Sequence, residues 1–185
     1  MSTSPRSPAN EAVVRRLFED MFNGRKPALV DEVFGDDFAY YFHMSDQPYR
    51  QRQVVLQIYQ AFANGFPDFR FEIVDLLADD TKGLCRMYWR GTNTGSWGAE
   101  AAPGIESLPP TGLESLPPTG RKVELEIAYA FTFGKGKITS ARLIVDPAQM
   151  LVQLGVVPGG KTLPRPVVWV AKGRQRLGLL ERHRG

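Results

Sequence analysis

The stretch Val123-Glu-Leu-Glu-Ile-Ala-Tyr-Ala-Phe-Thr-Phe133 puts a large apolar or aromatic side chain at every second position, with Glu124, Glu126, Ala128, Ala130 and Thr132 between them. A period of two describes a strand with one face in a core and the other turned away from it. Gly134-Lys-Gly-Lys137 then has the turn residues of a hairpin, and Ile138–Val145 returns as the last strand. Upstream, Leu84 to Thr94 reads as another long strand. Before the Asp79-Asp80 turn, Phe69, Phe71, Ile73 and Asp75 alternate with Arg70, Glu72 and Val74. Everything from Pro67 to Val145 that is periodic is therefore sheet.

North of Pro67 the pattern changes. Val13, Val14, Leu17, Phe18, Met21 and Phe22 form one apolar stripe on a helix that Asn23-Gly24 can end. A short second helix is expected at about 27–34. Phe38-Ala-Tyr-Tyr-Phe-His-Met reads as an aromatic strand, and residues 50–64 as a third helix carrying Val54, Val55, Ile58, Tyr59 and Phe62 on one side. A final short helix is expected at about 147–154. Helices first and an antiparallel meander afterwards predict an α+β fold, with N-terminal helices packed on one face of a curved antiparallel sheet and room for a pocket between them.

Composition narrows the function classes. The chain has 185 residues, 43% hydrophobic and 23% charged, the balance of an ordinary globular domain. Its one cysteine, Cys85, excludes an intramolecular disulfide and a multi-cysteine zinc site, and with only His43 and His183 no histidine-rich metal site is expected. No apolar run approaches the roughly 20 residues that span a bilayer, and the first residues lack the apolar core of a signal peptide, so a cytoplasmic protein without membrane association is expected. The net charge of +3 divides unevenly. Residues 1–157 carry −3, whereas 158–185 carry +6 through seven basic side chains against Glu181. The body is thus no basic nucleic-acid surface. The expected organisation is a mobile segment 1–9, a domain over 10–157 with a loop insertion at about 95–120, and a basic extension 158–185. Within the insertion, Ile105-Glu-Ser-Leu-Pro-Pro-Thr-Gly112 is followed at once by Leu113-Glu-Ser-Leu-Pro-Pro-Thr-Gly120, a tandem duplication best read as a tolerated surface loop or a pocket lid.

No Gly-x-Gly-x-x-Gly, Walker loop or Gly-x-Ser-x-Gly elbow is present, and Cys85 among Leu84, Met87 and Trp89 reads as an inert buried thiol. What remains is acid–base chemistry. Asp146 stands where the last strand meets Pro147-Ala-Gln-Met150. Asp at the N-cap, Pro after it and Gln149 two positions later fit a helix cap, while a carboxylate at a strand end beside an apolar cavity also fits a general base. His43, in the aromatic strand with Tyr40, Tyr41 and Phe42, is either structural or an acid or hydrogen-bond donor. Arg86 and Arg90 share a strand face with Tyr88, and Arg86 needs a counter-charge if buried. Trp89 and Asn93 fall on the opposite face.

Read together, these segments resemble the SnoaL-like polyketide cyclases, or ester cyclases, of the nuclear-transport-factor-2-like superfamily. The resemblance rests on Asn10–Gly24, Val33-Phe-Gly-Asp-Asp-Phe38, Phe66-Pro-Asp-Phe-Arg-Phe71, Arg90-Gly-Thr-Asn-Thr-Gly95, Pro117-Pro-Thr-Gly-Arg121 and Gly136-Lys-Ile138, continuing through Asp146 to Gln153-Leu-Gly155. It implies a compact cone, usually dimeric, and an aspartate at Asp146 acting as acid and base in an intramolecular aldol condensation, without metal or organic cofactor. His43 or Arg86 would polarise the carbonyl, and Tyr41, Trp89 and Asn93 would contact a small apolar carbonyl substrate. Many relatives have a histidine where this chain has Asn93. Two other functions fit the same cone: a non-catalytic module holding a small ligand or protein, and a hydrolase resembling limonene-epoxide hydrolases, which would need an Asp–Arg–Asp set around a water.

Overall fold

A computed structural model describes residues 5–42, 47–98 and 115–157. The chain begins with helix α1 (Pro8–Arg15), which runs without a break into a π-helical segment, Arg16–Asn23. Pairs of apolar residues at 13/14, 17/18 and 21/22 repeat every four residues. On a pure α-helix such pairs would drift by about 40° per repeat. Widening the helix holds Leu17, Phe18, Met21 and Phe22 on one buried face. The amide N–H groups of Gly24 and Lys26 accordingly donate to carbonyls five residues back, those of Glu19 and Met21. The Asn23 side chain then fixes this helix to the sheet, donating to the Phe71 carbonyl at 2.7 Å and accepting from the Phe71 N–H at 2.8 Å. The helix starts earlier than its apolar stripe suggests, and the Ser7 N–H is tied to the Ala78 carbonyl at 2.7 Å.

A 3₁₀ turn (Pro27–Leu29) and the short helix α2 (Val30–Val33) lead into β1 (Phe34–Tyr41), followed by β2 (Tyr49–Arg50) and helix α3 (Gln53–Gly65). The sheet continues with β3 (Arg70–Ala78) and β4 (Lys82–Thr92). A two-residue ribbon, β5 (Trp97–Gly98) with β6 (Ser115–Leu116), precedes the long pair β7 (Lys122–Gly134) and β8 (Lys137–Ile144), and helix α4 (Pro147–Leu154) closes the described chain. The main sheet has the order β2-β1-β8-β7-β4-β3.

The meander β3-β4-β7-β8 is antiparallel as expected, but the sheet is mixed, because β1 enters beside β8 in parallel. The chain reaches β1 from the helices rather than through a hairpin, so nothing forces it to run against its neighbour. Bulges between Ile73 and Asp75, between Thr132 and Phe133, and between Phe34 and Ala39 interrupt the ladders. Bulges bend strands, and the sheet here curves around the helices instead of lying flat against them. Its concave side carries Cys85, Met87 and Trp89 of β4 together with Leu125, Ile127, Tyr129 and Phe131 of β7, all buried. Phe18 and Phe22 fill the space opposite, in ring contact with Phe71. Among the described residues no helix is long and apolar enough to cross a membrane.

Candidate functional site

The core is not filled everywhere. Between α3 and the concave sheet lies a cavity of about 70 Å³, walled by Ile58 and Phe62 of α3, Trp89 of β4, Leu125, Ile127 and Tyr129 of β7, Leu143 and Val145 from the end of β8, and Met150 of α4, with Tyr40, Phe42 and Trp97 completing it. Among the described residues no side chain on this wall is charged. A smaller void of about 20 Å³ lies towards α1, and Tyr40 and Tyr129 border both spaces. A concave, mostly apolar pocket with few polar groups has the lining of a small-molecule site.

Two of those polar groups are paired. The hydroxyls of Tyr40 and Tyr129 lie 3.1 Å apart in the interior, joined across β1 and β7. Burial, the larger cause, pushes the Tyr129 phenol up to about 12 despite its bond to Tyr40, and burial likewise holds Tyr40 well above the ordinary phenol range. Both are neutral donors at any physiological pH. The other two polar groups are the indole N–H groups of Trp89 and Trp97, in side chains only 3% and 4% exposed. Neither has a hydrogen-bond partner among the described residues, which is uncommon for buried tryptophan.

Trp97 reaches the wall because the first residues of the 95–120 connection are packed. The loop 93–95 closes the C-terminal end of α3: the N–H groups of Thr94 and Gly95 donate to the Gly65 carbonyl at 3.2 and 3.3 Å. A methyl group on Gly65 would come within 2.8 Å of the Trp97 side chain, and one on Gly95 within 1.9 Å of the Asn64 carbonyl oxygen. The connection is therefore not a surface loop at its base, where Trp97 and Leu116 are both buried. The duplicated octapeptides lie mostly outside the described residues, as does the basic extension 158–185.

The residues singled out in the sequence separate. Trp89 lines the cavity. Tyr41 does not, because period two turns it out where Tyr40 points in; the Arg142 guanidinium sits 4.4 Å from its ring centre on the outer face. Asn93 is on the inner side and fully buried, but its amide is spent: Nδ2 donates to the carbonyls of Gly65 (3.2 Å) and Gly95 (2.8 Å), and Oδ1 accepts from the N–H (2.8 Å) and hydroxyl (3.0 Å) of Thr119. Such an amide offers a substrate nothing further.

Arg86 is on the outer face of the sheet, where Nε donates to Asp75 at 2.7 Å and Nη1 to Glu126 at 2.8 Å. Arg90 repeats the arrangement with Glu124 and Glu72. The counter-charges that a buried Arg86 would need are thus on neighbouring strands, and its place is in a half-exposed cross-strand ion-pair array rather than at the cavity. His43 lies outside the described residues, directly after the wall residue Phe42. Asp146 is the N-cap of α4: its Oδ1 accepts the Ala148 N–H at 2.9 Å, and its side chain is exposed. The junction it caps still belongs to the site, since Val145 before it and Met150 after it are wall residues. Cys85 is buried, and its desolvated thiol is pushed up to about 12, far from a nucleophilic thiolate. Among the described residues no three His, Cys, Asp or Glu side chains are grouped to hold a metal ion.

Tyr40, Tyr129 and Trp97 were not among the residues that sequence reasoning picked out. For the tyrosines the signal was parity: each is a polar tip on an otherwise apolar strand face, Tyr40 with Phe38 and Phe42, Tyr129 with Ile127 and Phe131. Trp97, in a Gly/Pro-rich connection, carried no periodic signal.

The family model for SnoaL-like polyketide cyclases matches residues 12–154, from the first helix to the end of α4. The chain belongs to this family. Its fold is the nuclear-transport-factor-2-like α+β fold of solved structures similar to it. A proposed SnoaL-like polyketide cyclase of Jannaschia sp. CCS1 is 18% identical with a TM-score of 0.67, over 85% of this chain and 99% of its own. AclR, a proposed hydroxylase of Streptomyces galilaeus, is 18% identical with a TM-score of 0.63, over 95% and 97%. IdmH, a proposed polyketide cyclase of Streptomyces antibioticus, is 24% identical with a TM-score of 0.59, over 79% and 98%. Among curated proteins none matches this chain significantly in sequence. In this member of the SnoaL-like family the cavity is built from neutral aromatic walls, and the acidic side chain at the strand–helix junction stands beside it rather than in it.

Proposed function

We propose that this protein is a cofactor-independent polyketide cyclase, closing or isomerising a small carbonyl-bearing, polyketide-like substrate by acid–base chemistry. The observation that supports this best is the cavity itself. Its aromatic and aliphatic walls suit a flat, apolar molecule, and from about 70 Å³ the cavity must widen to take one of ring size. The absence of any charged side chain on those walls among the described residues disfavours a charged ligand, which would lose its hydration without gaining a counter-ion. In this reading the substrate lies against Trp89 and Phe62 with its acidic carbon towards the β8–α4 junction. Asp146 takes the proton beside a carbonyl, the resulting enolate attacks a second carbonyl to form the ring, and the carboxylic acid returns its proton to the new alkoxide. A carboxylate that uses one oxygen for the Ala148 N–H keeps the other for this task.

Replacing Asp146 by Asn tests the assignment on a panel of aromatic β-keto esters. Asn retains the cap, so the melting temperature should hold, while loss of the base should lower kcat by roughly 10²–10⁴. Turnover kept within a few-fold removes Asp146 as the base. One observation favours a second reading, a non-catalytic binding module: the Asp146 carboxylate is exposed and engaged with its own helix, and no carboxylate or imidazole lines the cavity among the described residues. Saturable ligand binding without turnover is the expected outcome in that case. The hydrolase reading finds less support, because the carboxylate–Arg–carboxylate sets among the described residues, around Arg52, Arg86 and Arg90, all lie away from the cavity wall. A homodimer is proposed as well, as the family resemblance implies; exposed Leu77, Leu84 and Ile144 give the sheet apolar surface to cover.

A further inference from the structure

The reading above leaves the carbonyl without a polarising group, since Arg86 faces outward and His43 lies outside the described residues. The Tyr40–Tyr129 pair fills that gap by simple counting. Two hydroxyls hold two protons, and a single hydrogen bond between them uses one. Whichever tyrosine donates, the O–H of the other is unspent, and neither hydroxyl has another partner among the described residues. Both side chains are less than a tenth exposed and both belong to the cavity wall. Water-separated compensation is limited, because the surrounding wall residues Ile58, Ile127 and Leu143 are apolar. A buried donor without an acceptor is costly, and a ligand oxygen in the cavity removes that cost.

We propose that the Tyr40–Tyr129 pair donates one hydrogen bond to a carbonyl oxygen of the ligand and stabilises the enolate oxygen that forms there, one tyrosine touching the substrate and the other positioning it. A donated bond from the rear tyrosine polarises the front O–H and strengthens its bond to the ligand. The buried phenols hold their protons well beyond physiological pH, so the pair acts as a donor of fixed protonation, stabilising charge without taking or giving a proton. The ligand class follows: neutral, apolar, with at least one acceptor oxygen on a ring or chain that fits against aromatic walls. The unpartnered Trp89 and Trp97 N–H groups are competing donors, and the test separates them.

The inference takes its carbonyl substrate class from the proposed function, but its test needs no turnover, so it can fail while the Asp146 assignment stands, and the reverse. The probe is 1-tetralone, with tetralin as the matched hydrocarbon, binding being followed by tryptophan fluorescence and the bound ketone by its infrared carbonyl stretch. One net hydrogen bond predicts that tetralone binds roughly 3- to 10-fold more tightly than tetralin. Its stretch should move to lower frequency than in a hydrocarbon solvent. Tyr40→Phe or Tyr129→Phe should remove most of that shift while Trp89→Phe and Trp97→Phe leave it. Global replacement of tyrosine by 3-fluorotyrosine, the stronger donor, should enlarge it and serves if a Phe variant does not fold. No saturable binding of tetralone, a stretch at its hydrocarbon value, a shift that survives both Phe variants or ignores 3-fluorotyrosine, or a shift lost only with a tryptophan overturns the proposal.

Discussion

Asn93→Ala is expected to be among the more damaging single substitutions in the described chain, although this residue has no place in the cavity. Its side chain makes four hydrogen bonds to three segments: the end of α3 at Gly65, its own loop at Gly95, and Thr119 ahead of β7. Its backbone joins the last of these segments, donating to the Arg121 carbonyl at 2.9 Å and accepting from the Gly120 N–H at 2.8 Å, and these bonds survive the substitution. At about 0.5–1.5 kcal/mol net for each side-chain bond, the loss is ~2–6 kcal/mol. The Gly65 carbonyl keeps two other donors, Thr94 and Gly95, so the lower half of that range applies. Against a typical total of about 5–15 kcal/mol this is a large fraction, and at about 2–4 °C per kcal/mol for a chain of this size the melting temperature should fall by ~4–16 °C.

Because the 93–95 loop leads directly to Trp97, tryptophan emission should also move to longer wavelength before global unfolding. Urea denaturation followed by fluorescence reads both effects. Asn93→Asp sharpens the test, since the new carboxylate oxygen would face the Gly65 and Gly95 carbonyls where Nδ2 now donates. Its folded-state pKa would be raised, so this variant should regain stability as pH falls and the acid can donate again. A loss below about 1 kcal/mol for Ala, or an Asp variant as stable as the parent at neutral pH, refutes the reasoning.

The remaining predictions concern titration and assembly. Tyr129 has its pKa raised by burial to about 12 from an unfolded value of 10.0, so the unfolded chain loses its proton first as pH rises. Stability is then fully present below the unfolded value and is lost between there and about 12, by roughly 2–3 kcal/mol at ~1.4 kcal/mol per unit. Cys85, raised to about 12 by burial from 9.0, adds a loss in the same direction that begins one unit lower. Denaturant midpoints measured at pH 8, 10 and 11 check this, and Tyr129→Phe should flatten the upper part of the decline. For assembly, light scattering should return twice the 20.7 kDa chain mass; a monomer across micromolar concentrations ends the dimer proposal.

Side-chain parity explains both what could be read of the site and what was misassigned. Within β1 a step of one residue exchanges Tyr40, on the cavity, for Tyr41, on the outer face under Arg142. The strand was evident from its aromatic composition, yet its inward set depends on pairing with β8, a contact about a hundred residues away. Arg86 shows the same limit from the other side. Its face was correctly grouped with Arg90 and Tyr88, but that face is the outer one, because Asp75 and Glu126 meet it across two different strand pairs. Asp146 was legible as a cap, since Asp-Pro at a strand–helix junction is a local pattern with a local cause.

What the sequence determined by itself is what depends on near neighbours: the period of each segment, the turn at Gly134–Lys137, the helix that begins after Asp146, and through their order the α+β class and the family. Only the tertiary structure decided the parallel entry of β1, the inward placement of Trp97 and the meeting of the Tyr40 and Tyr129 hydroxyls. Each of these joins segments far apart in the chain, and hydrophobic periodicity carries no information about which distant face will supply the partner. The cavity is likewise a property of how α3 spans a bent sheet; the bulge after Ile73 shifts the inward set to Leu76 and turns Asp75, in phase with Phe71 in the sequence, to the outer face beside Arg86.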